Sequence, residues 1–410
     1  MYLDEIVAAQ KRGEAKGITS VCSAHPLVIQ QTLKMSQSFG VSPLIEATCN
    51  QVNQYGGYTG MKPRDFITYV RGIAEKNNYP FENIILGGDH LGPNVWQNEP
   101  AESAMQKSAM MMREYVRAGF VKIHLDCSMR LGDDPELLDM EVSAGRAAQL
   151  AKVAEESAGM ENRAALRYVI GTEVPVPGGA HEHEETVSVT NVADVQRTIQ
   201  ITREAFLREG LAEAWERVAG VVVQPGVEFG DDFVLPYKSQ AVQNLSKFIE
   251  SQTMVYEAHS TDYQTCEALK NLMNDHFAIL KVGPALTFAY REAVFALAMI
   301  EDELIAKDQR SNIIQVLDDV MVKHSQHWKK YYQGSEREQM FKRKYSLSDR
   351  ARYYWIQAEI SDACTRLMKN LGENILPFSL LSQFVGKTNL TAEQVVQWKI
   401  DQVLGNYLWA

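Results

Sequence analysis

Two histidines stand beside carboxyl groups in a way that could bind a divalent metal ion. His90 directly follows Asp89, and His259 lies in the polar run of residues 257–260. Such a site needs two to four imidazole or carboxylate side chains that converge from different elements. Glu173, in another polar segment, is a further candidate. The alternative for each histidine is a hydrogen-bonded polar residue with no metal.

Asp126 offers a carboxylate that suits acid–base catalysis. His124 lies two residues earlier, and in a strand that spacing puts both side chains on one face. Because His124 lies deeper in the strand, the sequence favours an internally bonded core histidine over a metal ligand. Lys281 could form a Schiff base, since burial lowers the pKa of a lysine. We favour an ion pair between Lys281 and one of the carboxylates.

The elements that would position these residues follow a simple alternation. Eight short apolar runs rich in β-branched residues alternate with long helical patterns, which is typical of parallel βα units and predicts a (β/α)8 barrel of the α/β class. We assign residues 1–307 to the barrel. Residues 308–410 show helical patterns and no strand rhythm, so we expect a helical extension packed on the barrel. The predicted strands are residues 18–22, 44–48, 84–88, 121–126, 168–173, 220–224, 254–259 and 278–283.

A barrel of this kind carries its active site at the carboxyl ends of its strands. Nearly every predicted strand ends in polar residues, which favours a pocket with chemistry over a purely structural scaffold. The candidate substrate-binding residues at these ends are Ser23, Glu46, Asn50, Asn94, Gln224, Ser260 and Asp262.

Two further segments contain residues that could take part. Residues 174–185 are rich in proline and glycine and predict a long loop that could act as a lid. Its His181 and His183 fit a solvent-exposed acidic loop better than a metal site.

Residues 345–355 predict the start of a helix with Ser348 as its N-cap. The two arginines there, Arg350 and Arg352, could reach an anionic substrate, although an exposed helix with an aromatic packing face is the commoner explanation.

Composition excludes several classes of protein. The 410 residues contain 41 Lys and Arg against 52 Asp and Glu, a net charge of −11, so no basic field is available to bind nucleic acid or an anionic membrane. No apolar run approaches the ~18 residues that span a bilayer, and residues 1–16 do not resemble a signal peptide, so we expect a cytoplasmic protein. Five scattered cysteines without a C-x-x-C pair predict reduced thiols.

Seven longer strings are specific enough to indicate a family: residues 21–26, 50–61, 87–94, 171–179, 223–229, 256–264 and 345–350. Through them the chain resembles the non-catalytic, or Z, subunits of class II D-tagatose-1,6-bisphosphate aldolase, from galactitol and N-acetylgalactosamine catabolism. The resemblance implies an accessory subunit that a separate catalytic aldolase subunit needs for full activity and stability. Similar sequences have been called tagatose 6-phosphate kinase, but the chain has no G-x-x-x-x-G-K-[ST] loop.

The chain is also similar, more distantly, to the catalytic class II aldolases, which hold zinc by histidines at strand ends. Asp89-His90 resembles their pair of catalytic acid and zinc ligand, Glu173 resembles their acid before a Gly-Gly loop, and His259 resembles their last zinc histidine. The resemblance implies a divalent metal ion, zinc first, with manganese or nickel as alternatives. The predicted metal ligands are His90, Glu173, Gln224 and His259. The predicted catalytic residues are Asp89, Asp126, Glu173 and Lys281.

The chain departs from these aldolases at two places. Residues 224–226 read Gln-Pro-Gly where the aldolases carry a middle zinc histidine before glycine, which argues against ordinary zinc aldolase activity. Residues 260–262 replace a glycine-rich phosphate loop, and the carboxylate of Asp262 would repel a phosphate.

We therefore expect a tagatose-1,6-bisphosphate aldolase subunit of the Z type with a metal-binding sugar site at the barrel mouth. The alternative is a metal-dependent ketohexose 4-epimerase that interconverts D-fructose and D-tagatose by retro-aldol and aldol steps. A bisphosphate aldolase acting alone ranks last because of the two departures. The expected partners are a sugar or sugar phosphate, a catalytic aldolase subunit and further copies of the chain.

Overall fold

Eight parallel strands close into a barrel, as the alternation of strand and helix patterns predicts. The computed structural model describes residues 2–171 and 187–408. Going around the barrel, neighbouring strands follow chain order and the last pairs with the first, with Ser20 opposite Lys281. A small antiparallel hairpin, β7 and β8, lies outside the barrel. The strands are β1 Ile18–Val21, β2 Leu44–Thr48, β3 Ile85–Leu91, β4 Lys122–Leu125, β5 Arg167–Ile170, β6 Val218–Val222, β7 Glu228–Phe229, β8 Val234–Leu235, β9 Val255–Ala258 and β10 Phe277–Val282.

Helices surround the barrel and follow its strands. Proline begins α2, α3 and α10, where its missing N–H costs no helical hydrogen bond. Across the described part of the chain, no helix is long and apolar enough to span a membrane. The helices are α1 Tyr2–Lys11, α2 Pro26–Phe39, α3 Pro63–Lys76, α4 Ala101–Ala118, α5 Met140–Arg163, α6 Val192–Arg208, α7 Ala212–Trp215, α8 Ser239–Ile249, α9 Cys266–Asn274, α10 Pro284–Leu304, α11 Ile313–Lys323, α12 Glu336–Tyr345, α13 Ala358–Leu371, α14 Phe378–Phe384 and α15 Ala392–Leu408.

The amino end of the barrel is closed by apolar packing. Leu3 and Ile6 of α1 join a buried cluster with strand residues such as Ile18 and Leu44. Burial of such side chains stabilises the fold by roughly 1.5–3 kcal/mol each. The sequence patterns above do not identify α1. The closed amino end leaves the carboxyl end as the place where ligands can enter.

The residues after α10 form helices and turns, with no strand up to residue 408. Helix α15 packs against α10 and α2, so the extension lies on the barrel as expected. The boundary at residue 307 stays a prediction. The predicted helix start at Ser348 is wrong: Tyr345 ends α12, and Arg350–Tyr353 form a short 3-10 turn instead. Asp349 has a left-handed φ of 42°, which interrupts regular helical geometry there.

Candidate active site

A cavity of about 780 Å³ opens at the carboxyl end of the barrel. We call it the mouth cavity. Strand ends and the loops after them form its floor, and the C-terminal extension forms part of its wall. The extension therefore helps to enclose the site. The barrel contributes Ser23, Asn50, Asp89, His90, His259, Ser260, Asp262 and Lys281, and the extension contributes Arg352, Tyr353, Trp355, Cys364 and Met368.

Three histidines from three strands meet at the carboxyl end of the barrel: His90 and His259 line the mouth cavity, and His124 is fully buried beside them. His90 lies at the end of β3, His124 in β4, and His259 directly after β9. Their ring centroids are 4.9 Å apart for His90 and His124, 5.0 Å for His90 and His259, and 5.1 Å for His124 and His259. All three are buried. The nearly equilateral arrangement can direct several ring nitrogens toward one small cation.

Each of these histidines is bonded through one ring nitrogen to a carboxylate. Such a partner fixes the tautomer and orientation of a histidine that binds metal. The remaining nitrogen Nε2 of His124 is buried and has no hydrogen-bond partner among the described residues. The pairs are His90 Nδ1 with Asp126 Oδ2 at 2.7 Å, His124 Nδ1 with Asp89 Oδ1 at 3.0 Å, and His259 Nε2 with Glu257 Oε1 at 2.9 Å.

A layer of buried charges lies beneath the histidines, where barrels usually carry branched apolar side chains. Lys122 Nζ lies 2.5 Å from both Glu46 Oε1 and Glu257 Oε2, and all three side chains are fully buried. Lys281 Nζ contacts Asp89 and lies 2.8 Å from Glu257 Oε1. This geometry matches the ion-pair alternative for Lys281. Three carboxyl groups face two ammonium groups here, and burial raises the pKa of Glu46, so either a proton on Glu46 or an additional cation can balance the charges.

The pKa shifts fit these roles. Burial lowers the pKa of His124 to about 4 and that of His259 well below its usual value, so both rings are neutral at pH 7 and can offer a lone pair. Burial alone would raise the pKa of Asp89, but attraction to His90 and Lys281 holds it well below its usual range. Burial would lower the pKa of Lys281, yet the neighbouring carboxylates raise it, which disfavours a Schiff base.

The structure brings most of the predicted site residues together and places four elsewhere. Glu46 lies below the floor, in the ion pair with Lys122. Asp126 is also buried, behind His90. Asn94 lies in the 3-10 turn Pro93–Trp96 and does not line the mouth cavity. Gln224 does not line it either.

The placement of Gln224 has a local cause. Strand β6 ends at Val222, two residues earlier than predicted, so Gln224 belongs to the following loop. Its Oε1 accepts hydrogen bonds from the N–H groups of Gly226 and Val227, at 2.8 and 3.1 Å. The side chain thus stabilises its own loop. Glu173 and the predicted lid, with His181 and His183, lie outside the described residues.

In the sequence analysis above, His124 is assigned to the core, and Glu257 and Lys122 are not among the candidate site residues. The expectation that His124 is buried and internally bonded is correct, yet its ring completes the histidine triangle. A signal was available in the two-residue spacing of strands. Lys122, His124 and Asp126 alternate on one face, as do Glu257 and His259.

Groups that could hold a metal ion can be read from the described side chains. Ligand atoms lie within 4.8 Å of one another in the set Asp89, His90 and His124. The same holds for His124, Glu257 and His259, and for Cys22, Glu46 and Asp89. His124 belongs to both sets that contain histidines. We therefore take it as the central residue of the candidate metal site.

Comparisons with known proteins agree on one family. Residues 3–409 match the family described as D-tagatose-1,6-bisphosphate aldolase subunit GatZ/KbaZ-like. The chain is 52% identical to a protein named D-tagatose-1,6-bisphosphate aldolase subunit GatZ from Salmonella heidelberg, covering 99% of this chain and 98% of that protein. The identically named protein of Salmonella typhimurium is 51% identical with the same coverage.

A solved structure is similar throughout. It is the crystal structure of a probable tagatose 6 phosphate kinase from Sinorhizobium meliloti 1021, with a TM-score of 0.88 and 43% sequence identity. The match covers 96% of this chain and 99% of that one. The barrel and the C-terminal extension therefore occur together in a second protein.

Proposed function

The chain belongs to the GatZ/KbaZ-like family of D-tagatose-1,6-bisphosphate aldolase subunits, and from this premise we propose that it binds a divalent metal ion and a sugar at its barrel mouth. The observation that carries this proposal is the convergence of His90 and His259, which line the mouth cavity, with the buried His124. We further propose that the chain assembles with a catalytic aldolase subunit, as the names of its relatives suggest.

The side chains at the floor fit a divalent cation. Nε2 of His124 is buried without a partner among the described residues, a state that costs free energy unless a ligand satisfies the atom. Neutral imidazoles suit zinc and nickel, whereas manganese prefers carboxylate and water oxygens, so zinc is our first choice. The proposed ligands are His90, His124 and His259. Glu173 and Gln224 stay as predicted ligands without support from the described geometry.

The charges around this site define roles for the remaining residues. A bound metal would supply a Lewis acid that polarises a sugar carbonyl. Asp89 lines the mouth cavity and is kept ionised by its contact with Lys281, so it can accept a proton or a hydrogen bond from a sugar hydroxyl. Asp126 does not line the cavity and is bonded to His90. We assign Asp126 as a positioning residue that orients the His90 ring.

Metal content of purified variants tests the metal site. We expect close to one zinc ion per chain in the unchanged protein after incubation with zinc and dialysis, and loss of most of it in His124→Ala and His259→Ala. His276→Ala is a matched control, because His276 lies in the turn before β10 and bonds to Gln10 at 2.7 Å. Circular dichroism shows whether each variant is folded. Equal zinc content in the folded His124→Ala variant would contradict the proposal.

Activity assays separate the subunit role from the epimerase alternative. The names of the relatives given above do not mention an epimerase and so give that alternative no support. We expect the chain to increase the activity and yield of a co-expressed catalytic aldolase subunit on tagatose 1,6-bisphosphate. An equal activity and yield of the catalytic subunit without this chain would contradict the subunit role. Conversion of D-fructose to D-tagatose by the chain alone would favour the epimerase instead.

A further inference from the structure

One carboxylate of the chain occupies a place where barrels commonly bind phosphate. Asp262 lies in the loop after β9, and its Oδ1 accepts hydrogen bonds from the N–H groups of Gly283 at 3.0 Å and Ala285 at 2.8 Å. These N–H groups belong to the start of α10, beyond the last barrel strand. Phosphate sites in (β/α)8 barrels use the loops after the last two strands and a helix N-terminus. Here a side chain of the protein takes the anion's position.

The carboxylate is held firmly in this position. Asp262 is only 3% exposed, and this small exposed part of the side chain lines the mouth cavity. The neighbouring Thr261 fixes the loop, because its hydroxyl donates to the backbone oxygen of Lys281 at 2.6 Å and its own backbone oxygen accepts from Tyr407 at 2.8 Å. A phosphate would have to displace a tethered carboxylate and then lie beside it. Both steps disfavour a second anion at this end.

The mouth cavity contains a cationic side chain, Arg352, that can bind an anion. The guanidinium of Arg352 lines the cavity and donates to the backbone oxygens of Ser348 and Asp349 and, at 2.9 Å, to the hydroxyl of Tyr353. Among the described residues, no acceptor bonds to its Nε, and no carboxylate lies within ion-pairing distance of it. Nη2 is the atom that donates to Tyr353 and keeps one further N–H, so Nε and this N–H can receive an anion in the paired geometry that arginine favours.

Other arginines of this region are paired or lie away from the cavity: Arg350, which also has no carboxylate partner among the described residues, is 4% exposed, does not line the mouth cavity and donates to the backbone oxygen of His327 at 3.0 Å. Arg291 pairs with Asp349 at 2.7 Å, and Arg343 pairs with Asp318 at 2.7 Å. A half-buried guanidinium without a carboxylate partner, facing a cavity, is the usual setting for recognition of phosphate or carboxylate. Its surroundings are polarisable, since the rings of Tyr58 and Tyr353 lie 4.6 Å apart beside it.

We propose that the mouth cavity binds a ligand with a single anionic group, which pairs with Arg352, while Asp262 denies a second anionic group the N–H groups at the start of α10. The inference rests on the proposed function only in taking the ligand to be a sugar. The anionic group is a phosphate or a carboxylate, since both match the Arg352 edge. A bisphosphate is disfavoured because one of its phosphates would meet Asp262.

Isothermal titration of the full chain tests this assignment. The probes are D-fructose 6-phosphate, D-gluconate, D-fructose 1,6-bisphosphate and uncharged D-tagatose. Two of the probes, D-fructose 6-phosphate and D-gluconate, carry one anionic group. We expect one of these two to bind at least about tenfold more tightly than either the bisphosphate or the uncharged sugar. Arg352→Gln should lower the affinity for that probe by about 10- to 100-fold, which corresponds to the loss of a charge-assisted pair. Arg337→Gln, at an exposed arginine of α12, should leave the affinity unchanged.

A second pair of variants tests the role of Asp262. Asp262→Gly should increase the affinity for D-fructose 1,6-bisphosphate at least about tenfold, because it frees the two N–H groups and removes a repelling charge. Asp262→Asn keeps an acceptor for these N–H groups and should give a smaller increase. Preferential binding of the bisphosphate to the unchanged chain would overturn the proposal. So would full affinity in folded Arg352→Gln, or no binding of any probe.

Titrations with and without EDTA distinguish this inference from the metal site. An Arg352-dependent preference that persists when the protein binds no metal would leave the single-anion site intact and reject the proposed metal site. Metal binding that depends on His124, combined with equal affinity for all four probes, would support the metal site and reject the single-anion site.

Discussion

Substitution of Lys122 should strongly destabilise the chain. Its side chain is fully buried, and its Nζ lies 2.5 Å from Glu46 Oε1 and from Glu257 Oε2. Lys122→Met retains most of the side-chain volume, so the expected cost comes from two carboxylates that lose their cation. Breaking a buried ion pair by removing one partner costs about 3–5 kcal/mol. Because two carboxylates are affected here, we expect about 4–5 kcal/mol in the free energy of unfolding.

Urea unfolding followed by circular dichroism at pH 7 measures this cost. Lys152→Met serves as the control, because Lys152 pairs with Glu209 at 3.0 Å on the surface and should contribute at most about 1 kcal/mol. Adding Glu46→Gln to Lys122→Met should recover part of the loss, since one uncompensated carboxylate disappears. A loss in Lys122→Met no larger than that in Lys152→Met would refute the reasoning from buried charge.

Four further predictions concern the stability of the fold. A Cβ on Gly92 would lie 1.7 Å from the backbone oxygen of Asp126, so Gly92→Ala should lower both the urea midpoint and the zinc content. Gly72→Ala in α3, where a Cβ meets no atom within 4 Å, should instead add about 0.5–1 kcal/mol of stability. Tyr407→Phe removes the hydrogen bond between α15 and the loop after β9, and should cost about 1 kcal/mol by urea unfolding. Burial raises the pKa of Asp401 to about 6, so the folded chain keeps a proton that the unfolded chain loses near pH 4. The contribution of Asp401 to stability should therefore fall as the pH rises from about 4 to 6, so the urea midpoint of Asp401→Asn should rise relative to that of the unchanged chain over this range.

The barrel could be predicted because its signals are local. Runs of β-branched residues and intervening helical patterns repeat eight times, and the structure confirms eight parallel strands in that order. Helix α1 and the β7–β8 hairpin were not predicted, since a ten-residue helix and two-residue strands give weak periodic signals. The predicted helix at Ser348 is wrong because Asp349 adopts a left-handed conformation that the local pattern does not indicate.

The predicted site was less complete than the predicted barrel. His90, His259, Asp89 and Lys281 line the mouth cavity, as expected for polar residues at the strand ends of a barrel, while their roles stay predictions. Gln224 does not line the mouth cavity because β6 ends at Val222, two residues before the predicted strand end, a difference that sequence patterns do not resolve.

Local patterns in the sequence suffice for the order of strands and helices, for the family, and for the end of the barrel that carries polar side chains. Which of those side chains meet depends on how the chain folds in three dimensions. His124 approaches His90 and His259 because strands distant in the chain curve into one barrel, and Arg352 reaches the same cavity from the C-terminal extension. Asp262 bonds to the start of α10 for the same reason. Such contacts depend on the closure of the sheet and on the packing of the extension, and these are properties of the whole fold that no local pattern encodes.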